Sequence, residues 1–180
     1  LTNLTFDGLA YDLIRLMMDC LAIKPDLIFI IDEAWFAYGM FTPVTRRRCA
    51  MHAAGVLKAR LASEEYRSEF AAWRASVTEQ EPTLAPASLE GTLLPDPDVA
   101  KVRVYATQST HKTLTALRQA SMIHVHDEEF ARDVAISMRE AYLCHTSTSP
   151  NYQILASLDI ARRQMHFEGF ELIQKAYELS

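Results

Sequence analysis

The chain has 180 residues, with 18 Lys and Arg against 23 Asp and Glu, a formal net charge of -5 and 49% hydrophobic residues. That length suits one domain or part of one, and the apolar share is enough to build a core. The acidic balance argues against a nucleic-acid or anionic-membrane surface, since both need a basic excess; the 3 cysteines lack framework spacing, which predicts free thiols and a cytoplasmic protein.

Leu9, Leu13, Leu16, Met17 and Cys20 recur at helical spacing and predict an amphipathic helix from Gly8 to Leu21. Lys24-Pro25-Asp26 breaks it before the apolar run Leu27 to Ile31, a buried strand that ends at Asp32 and is far too short to span a bilayer. Helix followed by buried strand is one repeat of an α/β fold with a mostly parallel sheet. After a loop through Pro43, Arg46-Arg47-Arg48 reads as a solvated helix start. Ala50, Ala53, Ala54, Leu57 and Leu61 form one helical stripe, and Tyr66, Phe70 and Trp73 form another, as core or dimer contacts rather than cofactor contacts. Glu79 to Asp98 carries Pro82, Pro86, Pro95 and Pro97 and reads as a loop. Val102 to Thr107 and Ser121 to Val125 are the next two strands, with Thr113 to Gln119 of no definite type between them. Phe130 to Cys144 reads as a helix with Phe130, Val134, Met138 and Tyr142 on one face. Ser149 as N-cap and Pro150 in the first turn open a long helix toward Leu179, with Gly169 as a point of interruption.

Two strand ends carry the chemistry. Lys112, in Ser109-Thr110-His111-Lys112, stands where a strand gives way to a loop, at the rim of the sheet where ligands collect in α/β folds. An amine buried there can act as a neutral nucleophile toward an aldehyde. Asp32, in Asp32-Glu33-Ala34-Trp35, ends the other strand. A carboxylate and a lysine at neighbouring strand ends match what pyridoxal phosphate requires: a Schiff-base amine and an anion facing the pyridinium nitrogen. His124-x-His126 puts two imidazoles on one strand face without a third ligand at convincing spacing, so no metal site is predicted. Glu33 receives no role from the sequence.

The strings DEAWFAYGMF, VYATQSTHKTLTALRQASMIHV and HTSTSPNYQILAS resemble the cofactor-domain signatures of the bacterial ornithine/lysine/arginine decarboxylases. LTNLTFDG at the start is similar to the family's threonine-asparagine and tyrosine-aspartate-glycine block, with Phe6 in the tyrosine's place. The resemblance implies a three-layer α/β/α major domain of the aspartate-aminotransferase fold, pyridoxal 5'-phosphate as cofactor, and decarboxylation of arginine, lysine or ornithine to the amine. It implies Lys112 as the Schiff-base lysine, Asp32 as partner of the ring nitrogen, and Ala34 and Trp35 beside the ring. Ser109, His111, Thr148 and Ser149 fall near the cofactor phosphate, with His111 also at the catalytic centre. Bland roles stay open beside these: a core tryptophan for Trp35, a turn serine for Ser109, a locally bonded histidine for His111 and simple capping for Ser149.

The family also implies a homodimer or higher homo-oligomer with shared active sites. Residues 45–100 exceed its usual connection between the aspartate and lysine strands and read as an insertion. The chain begins inside a family block without an initiator methionine. It therefore reads as a partial cofactor domain, with the phosphate cup and a ring-stacking histidine expected upstream and a further domain downstream. An aminotransferase-like reaction, or a noncatalytic assembly module derived from the fold, are the competing readings.

Overall fold

The computed structural model describes residues 1–5, 7–78 and 93–179. Phe6 and the Pro82 and Pro86 part of the expected loop lie outside the described residues. Helix α1 runs Leu13–Ile23 and buries Leu13, Met17, Met18 and Leu21. It starts later than its periodicity suggests because Gly8 sits at φ +80, outside the helical region, and the Asp12 side chain caps the Arg15 N–H. Strand β1 is Ile28–Asp32 and β2 is Arg103–Ser109. They pair in parallel, Ile28 with Arg103 through Asp32 with Thr107.

Between them lie the short helix α2 (Pro43–Arg46), α3 (Ala50–Leu61) and α4 (Glu64–Thr78). Helix α3 belongs to the crossover: Ala50, Ala53, Ala54, Leu57 and Leu61 are buried in one cluster with Ile31, Val104 and Ala106 of the strands and Met17 and Leu21 of α1. A fully buried leucine such as Leu57 contributes roughly 1.5–3 kcal/mol. On α4, Tyr66 is buried and donates to the Pro95 carbonyl at 2.9 Å, while Phe70 and Trp73 pack on the cluster's edge. The aromatic stripe is therefore packing.

Strand β3, Ser121–His126, runs antiparallel to β2, with Ser109 opposite Ser121 and Val104 opposite His126. The three-stranded sheet is thus mixed, one parallel and one antiparallel pairing. The connection from β2 to β3 explains the reversal: it has no crossover helix, and parallel strands need one or a comparably long link. A π-helical turn at Phe130–Val134 leads into α5 (Ala135–His145), so the expected single helix is two pieces. Helix α6, Tyr152–Glu178, corrects two expectations. Asn151, not Ser149, caps it, accepting from the Ile154 N–H at 3.1 Å, and the helix passes unbroken through Gly169. That glycine serves a close approach, because a Cβ there would lie 2.5 Å from the Phe41 ring.

One face of the sheet packs on α1 and α3. The other leaves Ile28, Ile30 and Ile123 at 45%, 64% and 49% exposure.

At the N-terminal end of β2, Arg103 pairs with Asp127 at 3.1 Å, with the Asp127 side chain fully buried. Burial works against the Asp127 charge, but hydrogen bonds from Tyr105, the Glu129 backbone and Arg103 outweigh it and hold the carboxyl below its usual range. Tyr105 is pushed up to about 12 by burial and by the bond it donates to Asp127. A depressed carboxyl adds stability that is present above its unfolded pKa, about 3.9, and is lost as pH falls through the lower folded value. Asp127→Asn should therefore cost about 3 kcal/mol at neutral pH, near the lower end for breaking a buried pair, because Glu129 still reaches Arg103 at 3.4 Å. Urea midpoints should differ clearly at pH 7 and converge below about pH 4; equal midpoints at pH 7 would refute this.

Candidate active site

Strand alternation sorts the end of β1 into two functions. Phe29, Ile31 and then Glu33 point into the core, while Ile28, Ile30 and then Asp32 lie on the open face. Asp32 is exposed there, and its Oδ1 accepts the Ala34 N–H at 2.9 Å, which fixes the carboxylate at the head of the turn. Residues 1–3 lie alongside β1: the Asp32 N–H donates to the Leu1 carbonyl at 2.7 Å, and the Asn3 N–H donates to the Asp32 carbonyl at 2.9 Å. Asp32 is thus fixed through its backbone by residues 1–3 and through its side chain by the turn.

The end of β2 delivers Lys112. Beyond Ser109 the chain turns through a loop clamped on one atom, the Ala120 carbonyl, which accepts Thr110 Oγ1–H at 2.9 Å and His111 Nδ1–H at 3.2 Å. A carbonyl can only accept, so His111 carries a proton on Nδ1. Lys112 Nζ lies 5.1 Å from the centroid of the Trp35 ring, a cation–π contact across the two strand ends. Lys112 is exposed, not buried, among the described residues, and Trp35 is 44% exposed.

These groups enclose a recess of about 390 Å³, lined by Thr2, Leu4, Thr5, Asp32, Ala34, Trp35 and Lys112. That volume lies within the range of small-molecule sites, ~300–1,000 Å³. The donor set fits a pyridine aldehyde: an amine to attach it, a carboxylate for its ring nitrogen, a small residue where the ring can lie flat, and an indole at the edge. Asp32, Ala34, Trp35 and Lys112 come together. Ser109, His111, Thr148 and Ser149 do not line the recess. Ser109 is buried, His111 bonds locally to the loop, and Thr148 and Ser149 are exposed ahead of α6.

A mainly apolar cleft of about 520 Å³ is larger, but Gln108, His124, Arg162 and His166 are the most polar of its lining groups and, among the described residues, no carboxylate borders it. It lacks the paired acid and amine, so the smaller recess is the candidate site.

Sequence reasoning assigned nothing to Thr2, Thr5 or Glu33. Thr2 and Thr5 line the recess from the first block of the chain. Glu33 is 1% exposed beneath the recess; its Oε1 accepts from Asn3 Nδ2 and the Ala50 N–H, both at 2.7 Å, and its Oε2 accepts from Gln108 Nε2 at 2.9 Å. Period-2 alternation from Phe29 and Ile31 was the available signal for its inward direction. Nearby, burial pushes the Cys49 thiol up to about 12, and the Glu33 charge adds to this.

The family profile described as Orn/Lys/Arg decarboxylase, major domain, matches residues 82–179. Lysine decarboxylase LdcA of Pseudomonas aeruginosa is 34% identical over 178 residues, covering 98% of this chain and 18% of that protein. The biodegradative arginine decarboxylase of Escherichia coli is 31% identical, also over 98% of this chain and 18% of its own length. Among solved structures, the Francisella novicida lysine decarboxylase LdcF superposes with a TM-score of 0.56 at 28% identity, covering 97% of this chain and 17% of that one. The chain spans less than a fifth of the length of these relatives.

Proposed function

Because the chain belongs to the Orn/Lys/Arg decarboxylase family, we propose that it is the part of a basic-amino-acid decarboxylase that carries the cofactor-attaching lysine. The observation that carries this reading is the convergence of Asp32, Ala34, Trp35 and Lys112 on one recess. Pyridoxal 5'-phosphate, when bound, supplies an aldehyde for attachment and an electron sink for the pair left as carbon dioxide departs. Lys112 offers the attaching amine, and the Trp35 face supports that amine when it is free and cationic. Asp32 would keep a proton on the ring nitrogen, because an anion beside a pyridine favours its protonated form. Ala34 gives the ring room, and the Thr2 and Thr5 hydroxyls can donate to cofactor oxygens.

The three strands are read as part of a larger three-layer, mostly parallel sheet, a reading supported by the exposed Ile28, Ile30 and Ile123. Residues 1–180 then make up part of the cofactor domain, with 45–100 longer than the family's usual connection, although its helix α3 is integral to the core. The phosphate cup and a ring-stacking group come from outside this chain. Ser109 and His111 shape the lysine loop near the phosphate, and Thr148 and Ser149, being exposed, are free to reach the cofactor phosphate of a second subunit in a homodimer. Among the described residues no helix is long and apolar enough to cross a membrane. The free thiols of Cys20, Cys49 and Cys144 suit a cytoplasmic enzyme, here one acting on a small amino acid.

The full-length protein, loaded with pyridoxal phosphate and given arginine, lysine or ornithine, should release carbon dioxide and the matching amine from one of them. An oxo acid as the product would identify an aminotransferase instead. No product from any of the three, with cofactor bound, would contradict the decarboxylase reading and leave a noncatalytic module.

A further inference from the structure

We propose that Glu33 is a positioning residue: its buried carboxylate braces the Asp32–Trp35 turn against the β2 end that carries Lys112, and so fixes the spacing of those two groups. The inference rests on the reading of Asp32 and Lys112 as the cofactor-holding pair.

A carboxylate with 1% exposure is costly unless its oxygens are satisfied. Among the described residues no cation pairs with it through a hydrogen bond. Its donors are Asn3 Nδ2 at 2.7 Å, the Ala50 N–H at 2.7 Å and Gln108 Nε2 at 2.9 Å. Ala50 is the first residue of α3, so the carboxylate sits at the positive end of a 12-residue helix, which offsets its charge. The donors belong to three separate pieces: the N-terminal segment that flanks Asp32, the crossover helix, and β2. The Glu33 N–H also donates to the Thr107 carbonyl at 2.8 Å. Side chain and backbone of one residue therefore tie both strand ends together, next in sequence to Asp32 and four residues before Lys112 on the Gln108 side.

The charge also orders what lies beyond. A carboxylate can only accept, so Gln108 must turn its NH₂ toward Glu33 and its Oε1 toward His124. His124 Nε2, 3.1 Å from that oxygen, must then be the donor. The chain of bonds runs His124 to Gln108 to Glu33, from β3 across β2 to the residue that follows β1, all with one polarity. Directional bonds of this kind hold a geometry more narrowly than apolar packing does. An apolar side chain could fill the volume but could not set the register of the turn.

The test uses the full-length protein with Glu33→Ala, Glu33→Gln and Gln108→Leu. Hydrogen exchange is read without cofactor on peptides covering 32–36 and 107–112, and cofactor affinity, visible circular dichroism, kcat and KM are read with it. Glu33→Ala should speed exchange in both peptides together. It should weaken pyridoxal phosphate binding roughly 10- to 100-fold, as loss of an outer orienting partner does, and lower kcat more than it changes KM. Glu33→Gln should recover most of this, since it still accepts from Asn3 and Ala50 and can bond Gln108 after an amide flip. Gln108→Leu should loosen 107–112 while leaving the first turn of α3 protected.

Faster exchange confined to the α3 terminus, with unchanged cofactor affinity and dichroism, would reduce Glu33 to a helix cap and overturn the proposal. If Glu33→Ala does not fold, unchanged exchange at 107–112 in Gln108→Leu overturns it equally. If the parent protein does not take up pyridoxal phosphate, the functional reading fails by itself; the paired exchange response still decides whether Glu33 braces the two strand ends.

Discussion

Lys112→Ala in the full-length protein is expected to abolish covalent attachment of pyridoxal phosphate and to lower turnover by at least a thousandfold, about 4 kcal/mol of transition-state stabilisation. Lys112 is the one lysine among the described residues lining the recess, and its amine already stands at the Trp35 face across from Asp32. On the proposed reading, alanine would remove both the attachment point and a mobile base beside the substrate carbon. Cofactor could still lodge in the recess through Asp32 and the threonines, so its absorption should change from that of a bound Schiff base to that of the free aldehyde. An exogenous primary amine should restore a fraction of turnover. Unchanged absorption and turnover in the variant would remove Lys112 from the chemistry.

Asp32→Asn should separate binding from catalysis. The Asp32 Oδ1 accepts the Ala34 N–H at 2.9 Å, and an asparagine can keep that bond through its own oxygen. Its remaining group is then an NH₂, a donor, which cannot hold a proton on the ring nitrogen. Cofactor should remain bound while kcat falls by roughly a thousandfold, again about 4 kcal/mol. Wild-type kcat with cofactor bound would show that Asp32 does not tune the ring.

Both predictions draw on residues that could be read from the sequence, and the reason is local. An apolar run ending in a carboxylate, and a β-branched run ending in a lysine loop, need only strand periodicity to be placed. Strands β1 and β2 accordingly fall within a residue or two of their expected bounds. Helix α3 and the packing role of Tyr66 follow from stripes of period 3.6. What depended on tertiary contact was less legible. The antiparallel direction of β3 is decided by a loop whose closure rests on the Ala120 carbonyl, a contact with no sequence signature. Capping by Asn151 instead of Ser149 is a choice between two competent residues two positions apart. Gly169 resembled a break because its partner, Phe41, lies 128 residues away by position number.

The site divides in the same way. Four of the eight expected site residues share the recess. Thr2 and Thr5 reach it only because residues 1–3 lie along β1, a pairing over some thirty residues. Glu33 was placed by parity but not by role, since its partners Asn3, Ala50 and Gln108 are spread along the chain.

The central claim is that Lys112 is where the cofactor is attached. Borohydride reduction of the full-length protein loaded with pyridoxal phosphate, followed by proteolysis and peptide mass analysis, tests it most directly. The pyridoxyl group should be found on the peptide that contains Ser109 to Lys112, at the Lys112 amine. A pyridoxyl group on Lys58, Lys101 or another lysine, with Lys112 unmodified, would contradict the account.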